Sequence, residues 1–203
     1  MKPSTSTNYV AFLRGINVGG NKKINMAALR VALEAAGLQN VRTLIASGNV
    51  LFTSRTTDLA KLCRQIEAAI QKKFAMEVSV ILRTEREIAK LCAAAPFSGI
   101  KPAANVRLFV TFLDAKPKSR LKIPYLSPDG SYRIHFLRDR NLCSILTLGP
   151  QWSKNLRQMD ILEKEFGKRI TTRSWSTVCK CLAALQPGVR VDKGEKETKG
   201  RHV

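Results

Sequence analysis

Three clusters of polar and flexible residues carry the side chains that could do chemistry. The first is the run Arg14-Gly15-Ile16-Asn17-Val18-Gly19-Gly20-Asn21-Lys22-Lys23. It follows an apolar stretch and precedes a helical pattern that begins near Asn25. A strand, a glycine loop and a helix in that order offer backbone N–H groups to an anion. Lys22 and Lys23 add positive charge at the helix start. The second cluster is Ser47-Gly48-Asn49, between two short apolar runs. Gly and Asn tolerate the left-handed geometry of a tight turn. Ser47 and Asn49 can also project from strand ends toward the glycine loop. The third is Thr171-Thr172-Arg173-Ser174-Trp175-Ser176-Thr177. Thr172 or Ser174 can cap the helix that follows. Arg173 suits a phosphate or carboxylate clamp. Trp175, at the helix start, suits packing more readily than stacking on a ligand. The expected ligand-binding set is Arg14, Gly15, Asn17, Gly19, Gly20, Lys22, Lys23, Ser47, Asn49, Thr172, Arg173 and Trp175.

Better-defined constellations fail on register. Gly15 and Gly20 have the separation of the glycines in GxxxxGK[ST], but Asn21 and Lys22 follow where Lys and Ser/Thr are required. A magnesium–nucleotide loop of that type is therefore excluded, and no GxGxxG is present. The two histidines are His135, within a strand pattern, and His202, near the C-terminus. Cys179 and Cys181 stand two apart in a helical stretch, so they face different sides and cannot chelate together. No metal and no cofactor is expected, and no catalytic residue can be assigned.

These clusters need elements to position them. Residues 9–14 read as a buried strand. Asn25 can cap a helix that buries Leu29, Ala32, Leu33 and Ala36, with Gly37 closing it. Residues 41–46 and 50–53 read as strands. Thr57 or Asp58 starts a second helix with Leu59, Leu62, Cys63, Ile66 and Ile70 inward, and 78–82 is a fourth strand. This is the β-α-β-β-α-β order of ferredoxin-like folds. Thr84 and Glu87 form a capping box ahead of the next helix. The second half has a strand at 106–113, a connection rich in proline with a short helix near 119–123, and a hairpin of 132–137 and 142–148. A helix at 155–166, a brief strand at 169–171 and a last helix from about Trp175 to Leu185 complete it. The second half roughly repeats the order of the first. The similarity is one of topology, with no repeat seen at the level of residues. The expected fold is α+β: two ferredoxin-like subdomains, 1–83 and 84–186, with a C-terminal helix and a charged, disordered tail at 187–203.

Phe12-Leu13-Arg14-Gly15-Ile16-Asn17-Val18-Gly19-Gly20, the later Thr43-Leu44-Ile45-Ala46-Ser47-Gly48-Asn49-Val50, and Thr171–Val178 together resemble the bacterial domain-of-unknown-function family 1697. The resemblance spans about 9–185. Ser174 and Ser176 stand where the family typically has Asn, and 114–131 holds more Pro and Lys than the helical segment expected there. The resemblance implies two similar α+β subdomains and a bacterial, cytosolic origin. It implies no particular reaction.

Composition narrows the partners. The chain has 203 residues, 44% hydrophobic, with a formal net charge of +20. Residues 1–83 hold 12 basic and 4 acidic side chains, and 84–186 hold 18 and 8. The charge therefore belongs to the folded body and favours RNA, DNA or a phosphorylated small molecule. Five cysteines, an odd number, with no apolar leader, point to reduced thiols in the cytoplasm. No apolar run approaches a membrane span. The function expected is binding of an anionic ligand around the glycine-rich loop. The alternative is an enzyme acting on a small anionic substrate in the cleft between subdomains.

Overall fold

The computed structural model describes residues 6–18, 22–117, 119, 121–149 and 158–186. Its first half runs β1 (Thr7–Leu13), α1 (Met26–Ala35), β2 (Gln39–Leu44), β3 (Asn49–Ser54), α2 (Leu59–Phe74), β4 (Val80–Thr84) and α3 (Glu85–Ala93). The second runs β5 (Val106–Leu113), β6 (Tyr125–Leu126), β7 (Tyr132–Arg138), β8 (Asn141–Thr147), α4 (Gln158–Phe166), β9 (Ile170–Ser174) and α5 (Trp175–Leu185). The chain is thus mixed α+β, with two sheets and, among the described residues, five helices.

Both sheets are antiparallel throughout. The first has the strand order β2-β3-β1-β4, and the second β6-β7-β8-β5-β9. Setting β6 aside, β7, β8, β5 and β9 occupy the places of β2, β3, β1 and β4.

Alternation along the strands sorts the core into layers. Tyr9, Ala11, Leu13, Val50, Phe52, Val80 and Leu82 face α1 and α2. Their neighbours Val10, Phe12, Leu51 and Ile81 turn the other way. They join Val110, Phe112, Cys143 and Ile145 of the second sheet, with side chains of α3 and α5, in one middle core. Phe12 and Phe112 stack there with centroids 4.1 Å apart. The far face of the second sheet, including Leu113, Tyr132, Ile134 and Leu142, meets Leu162 of α4.

Local chemistry sets the helix starts. Asn25, Asp58 and Ser174 each accept a backbone N–H three residues ahead. Thr84 and Glu87 complete a reciprocal capping box at α3. One expected element is absent: the described residues of 119–123 form no helix. Pro117 and Pro124 flank the segment, and Ser119 Oγ accepts from Leu121 N, which turns the chain locally. The strand expected at 169–171 extends to Ser174, because it pairs with β5 along its length. Gly19, Gly20, residues 155–157 of the helix expected at 155–166, and the tail 187–203 lie outside the described residues. No helix among the described residues is long and apolar enough to cross a membrane.

Candidate functional site

After β1 the backbone turns at Gly15 and Asn17, both with positive φ. The Asn17 amide spends both of its ends on the loop. Its Nδ2 donates to Ile24 O at 3.0 Å and Ala46 O at 2.8 Å, and its Oδ1 accepts from Ile24 N at 2.8 Å. Asn17 therefore closes the loop and ties it to the turn between β2 and β3. Lys22 Nζ donates to Glu77 O at 2.6 Å, which anchors the far side of the loop to the entry of β4. Lys23 is exposed.

The turn at Gly48 approaches this loop closely. Gly48 has φ +79°, and a Cβ there would lie 2.8 Å from Ile16 Cδ1 and 2.9 Å from Leu13 Cβ. Glycine is required by conformation and by space. Asn49, fully buried, donates to Leu44 O at 2.9 Å and Ser47 Oγ at 3.2 Å. Its Oδ1 accepts from Arg173 Nε at 2.6 Å. The rest of the Arg173 guanidinium donates to Thr171 Oγ1, Thr172 O, Leu13 O and Gly48 O. Its carbon stands 5.6 Å from the Phe12 centroid. Burial pulls the Arg173 pKa down to about 10, so it remains charged at neutral pH.

The three sequence clusters thus meet in space, but they meet through one another. Asn17, Asn49 and Arg173 direct their polar atoms at protein groups. Thr172 Oγ1 lies 2.8 Å from Thr111 Oγ1 and donates to Met159 Sδ. Trp175 packs edge-on against Phe97.

A second arginine does the same work in reverse, and sequence reasoning did not find it. Arg83, on β4, donates from Nε to Asn141 Oδ1 at 3.1 Å. Its other nitrogens reach Leu82 O, Leu113 O and Arg140 O. It sits 5.3 Å from the Phe112 centroid, and burial pulls its pKa down to about 10. Arg173 of the second half therefore grips Leu13, Asn49 and Phe12 of the first. Arg83 of the first grips Leu113, Asn141 and Phe112 of the second. The expectation that the halves share no residue-level repeat is corrected. Val10-Ala11-Phe12-Leu13 matches Val110-Thr111-Phe112-Leu113 at three of four positions. Each arginine stands immediately before a helix cap, Thr84 or Ser174.

What remains open is a cleft of about 920 Å³ beside the glycine loop. Arg14, Gly15, Val18 and Lys22 line one side, and Glu67, Ala68 and Gln71 of α2 line another. Lys168 and Arg169, at the entry to β9, close a third, with Glu77 and Ser79 near β4. Arg14 pairs with Glu163 of α4. Arg169 pairs with Asp114 at 2.8 Å and with Glu67 at 3.5 Å, and its side chain is half exposed. The structure thus brings Arg14, Gly15 and Lys22 to an open surface, together with Lys168 and Arg169, which belong to no motif. Ser47, Asn49, Thr172, Arg173 and Trp175 do not line this cleft.

Other reactive groups are occupied elsewhere. His135 Nε2 lies 2.6 Å from Pro96 O, with Phe97 edge-on to its ring. All five cysteines are free thiols. Burial pushes Cys63 up to about 11 and Cys143 and Cys181 up to about 12, so these three stay protonated at neutral pH. Among the described residues no cluster of three metal-ligating side chains occurs.

A family model described as "Protein of unknown function (DUF1697)" matches residues 6–127. Among solved structures the chain is similar to the conserved bacterial protein SP0830 from Streptococcus pneumoniae. The two share 24% identity, with 90% of this chain and 100% of that one covered, at a TM-score of 0.67. That likeness concerns the fold. No curated protein matches the chain.

Proposed function

The chain belongs to the DUF1697 family, and from that premise we propose that it binds an anionic ligand, a nucleic acid or a phosphorylated metabolite, in the cleft beside the glycine loop. One observation carries this reading. Arg14, Lys22, Lys168 and Arg169 reach the same open cleft from separate parts of the chain. Opposite charge in a concave, partly desolvated site attracts anions more strongly than the same charge spread over a flat surface. Arg14 and Arg169 are held in place by carboxylates, so part of the ordering of these long side chains precedes binding. Asn17, Ser47, Asn49 and Arg173 then serve the ligand indirectly, by holding the loop against both sheets. The strand order second-third-first-fourth, seen in the first sheet and in the second once β6 is set aside, supports the reading of two ferredoxin-like units joined through the middle core.

Inorganic pyrophosphate and a short fluorescent oligodeoxythymidine serve as probes of the two ligand classes. At least one is expected to bind the full chain, raising its melting temperature or its fluorescence anisotropy. Lys22→Ala and Lys168→Ala, both changes at the surface, are expected to weaken that binding at least about fivefold each, close to one kcal/mol. Binding unchanged in both variants, or absent for both probes in the unmodified protein, refutes the proposal.

A further inference from the structure

The cleft does not end at Arg169. A second cavity of about 320 Å³ adjoins it, lined by Ala60, Cys63 and Arg64 of α2, by Asp114, and by Arg140. The two cavities share Glu67 and Arg169, so they meet at that ion pair. Together they follow one side of α2 from Ala60 to Gln71. At a rise of 1.5 Å per residue this is a trough about 16 Å long.

The cations are strung along it. Arg14 and Lys22 stand at one end, Lys168 and Arg169 in the middle, and Arg64 and Arg140 at the other. Compact phosphate sites draw their donors toward one point, and here they follow a line. Three carboxylates line the same trough: Glu67, Glu77 and Asp114. Glu67 and Asp114 are paired with Arg169, and Glu67 also accepts from Val80 N. Arg140 is paired with Glu87 and donates to Asp114 O. With Glu163 and Glu87, the partners of Arg14 and Arg140, five carboxylates stand against the six cations. The charge offered to a ligand is that of Lys22, Lys168 and Arg64, which form no ion pair among the described residues and are spread along the trough. Among the described residues no aromatic ring lines either cavity, so they offer no base stacking, the usual second component of single-strand sites.

Resting on the anion-binding reading above, we infer that the ligand is an extended polyanion. It is a single nucleic-acid strand of about four nucleotides or more, lying along α2 and held by its phosphates without regard to sequence. A strand placed this way exchanges counterions for Arg64, Lys168 and Lys22 in turn, so each added phosphate contributes until the trough is filled.

The experiment measures binding of fluorescent oligodeoxythymidines of two to twelve nucleotides to the full chain over a salt series, with inorganic pyrophosphate as a compact control. Affinity is expected to rise with length to about four nucleotides and then level off. The slope of log K against log[salt] is expected to approach about −0.7 for each phosphate engaged, or roughly −2 to −3 in all. Arg64→Ala, an exposed position, is expected to lower oligonucleotide affinity several-fold and to leave pyrophosphate affinity unchanged. Arg64→Lys is expected to recover much of the loss. Lys22→Ala is expected to weaken both probes. Length-independent binding that Arg64→Ala does not alter overturns the extended trough and leaves the anion cleft standing. Failure of both probes to bind overturns both.

Discussion

Arg173 uses every face of its guanidinium inside the protein: Asn49 at Nε, two groups of its own strand at Nη1, and two carbonyls of the other half at Nη2. Taking this charge out of water is costly, as its lowered pKa records, and the hydrogen bonds offset that cost; the loss of either side leaves the other without a partner. Arg173→Met removes the charge and leaves buried neutral acceptors unpaired, so it is expected to destabilise the fold by roughly 1–3 kcal/mol. Arg83→Met is expected to fall in the same range. Replacing both partners by apolar groups is milder than removing one. Arg173→Met combined with Asn49→Leu is thus expected to cost less than the sum of the two single changes. Urea denaturation of the four proteins measures the cycle. A cost below about 1 kcal/mol for Arg173→Met, within the range of a neutral surface substitution, would show that the clamp does not hold the halves. The same logic explains why Asn49 reads as a ligand residue and acts as a frame residue. Its polarity is required by Arg173, which lies 124 positions away.

Helix α3 ties its start to both halves through Glu87. That carboxylate accepts from Thr84 N at 2.8 Å and pairs with Arg140 of the second half at 2.6 Å. Burial pushes its pKa up, but the Thr84 and Arg140 hydrogen bonds outweigh this, and the net shift is below the usual 4.5. A carboxylate with a depressed folded-state pKa contributes stability that is present above its unfolded value. That stability is lost as pH falls through the folded value. Glu87→Gln keeps an acceptor for Thr84 and removes the charge. The difference in melting temperature between the unmodified protein and this variant is expected to be full above about pH 5 and to shrink toward pH 3. A difference that is constant from pH 6 to pH 3 would remove Glu87 from the acid response.

Much at the element scale is legible in the sequence because it is local. Asn25 and Thr84 announce two helix starts by residue type and by the apolar period that follows; for two more the sequence offers Thr57 or Asp58 and Thr172 or Ser174, and the structure selects Asp58 and Ser174. β5 and α5 fall on the residues where alternation and helical spacing place them. What escapes reading is set by distant pairing. Lys168 and Arg169 look like solvated charges, and they reach the cleft only because β9 pairs with β5. Arg83, a charge just before a helix cap, looks equally solvated until the second sheet covers it. The repeat is hidden by uneven spacing. Phe12 and Phe112 lie 100 positions apart, Asn49 and Asn141 92, and Arg83 and Arg173 90. No single offset aligns them.

On the scale of the whole molecule, the middle core is the decisive feature. Val10, Phe12 and Ile81 of one sheet share it with Val110, Phe112 and Cys143 of the other, and α3 and α5 pack into it together. Separating the halves would expose this layer and strip both arginines of the acceptors they have in the other half. The chain is therefore expected to unfold in one cooperative transition. Far-UV circular dichroism and hydrogen exchange at β1 and β5 amides are expected to report the same midpoint in urea. Two resolved midpoints, one for each sheet, would show that the halves are independent.

The crossed arginines also constrain how the two halves can change over generations. Each half carries the acceptor for an arginine encoded in the other, so neither is free to drift alone at these positions. A change at Asn49 is tolerable only with a matching change at Arg173, and the same holds for Asn141 with Arg83. On the glycine-loop side the halves are tied by ion pairs at partly exposed side chains, Arg14 with Glu163 and Arg169 with Glu67, and the corresponding positions differ: Arg14 in one half stands where Asp114 does in the other, right after the shared Phe-Leu. The join between the halves is built from like residues, and the rim of the cleft from residues that differ between them.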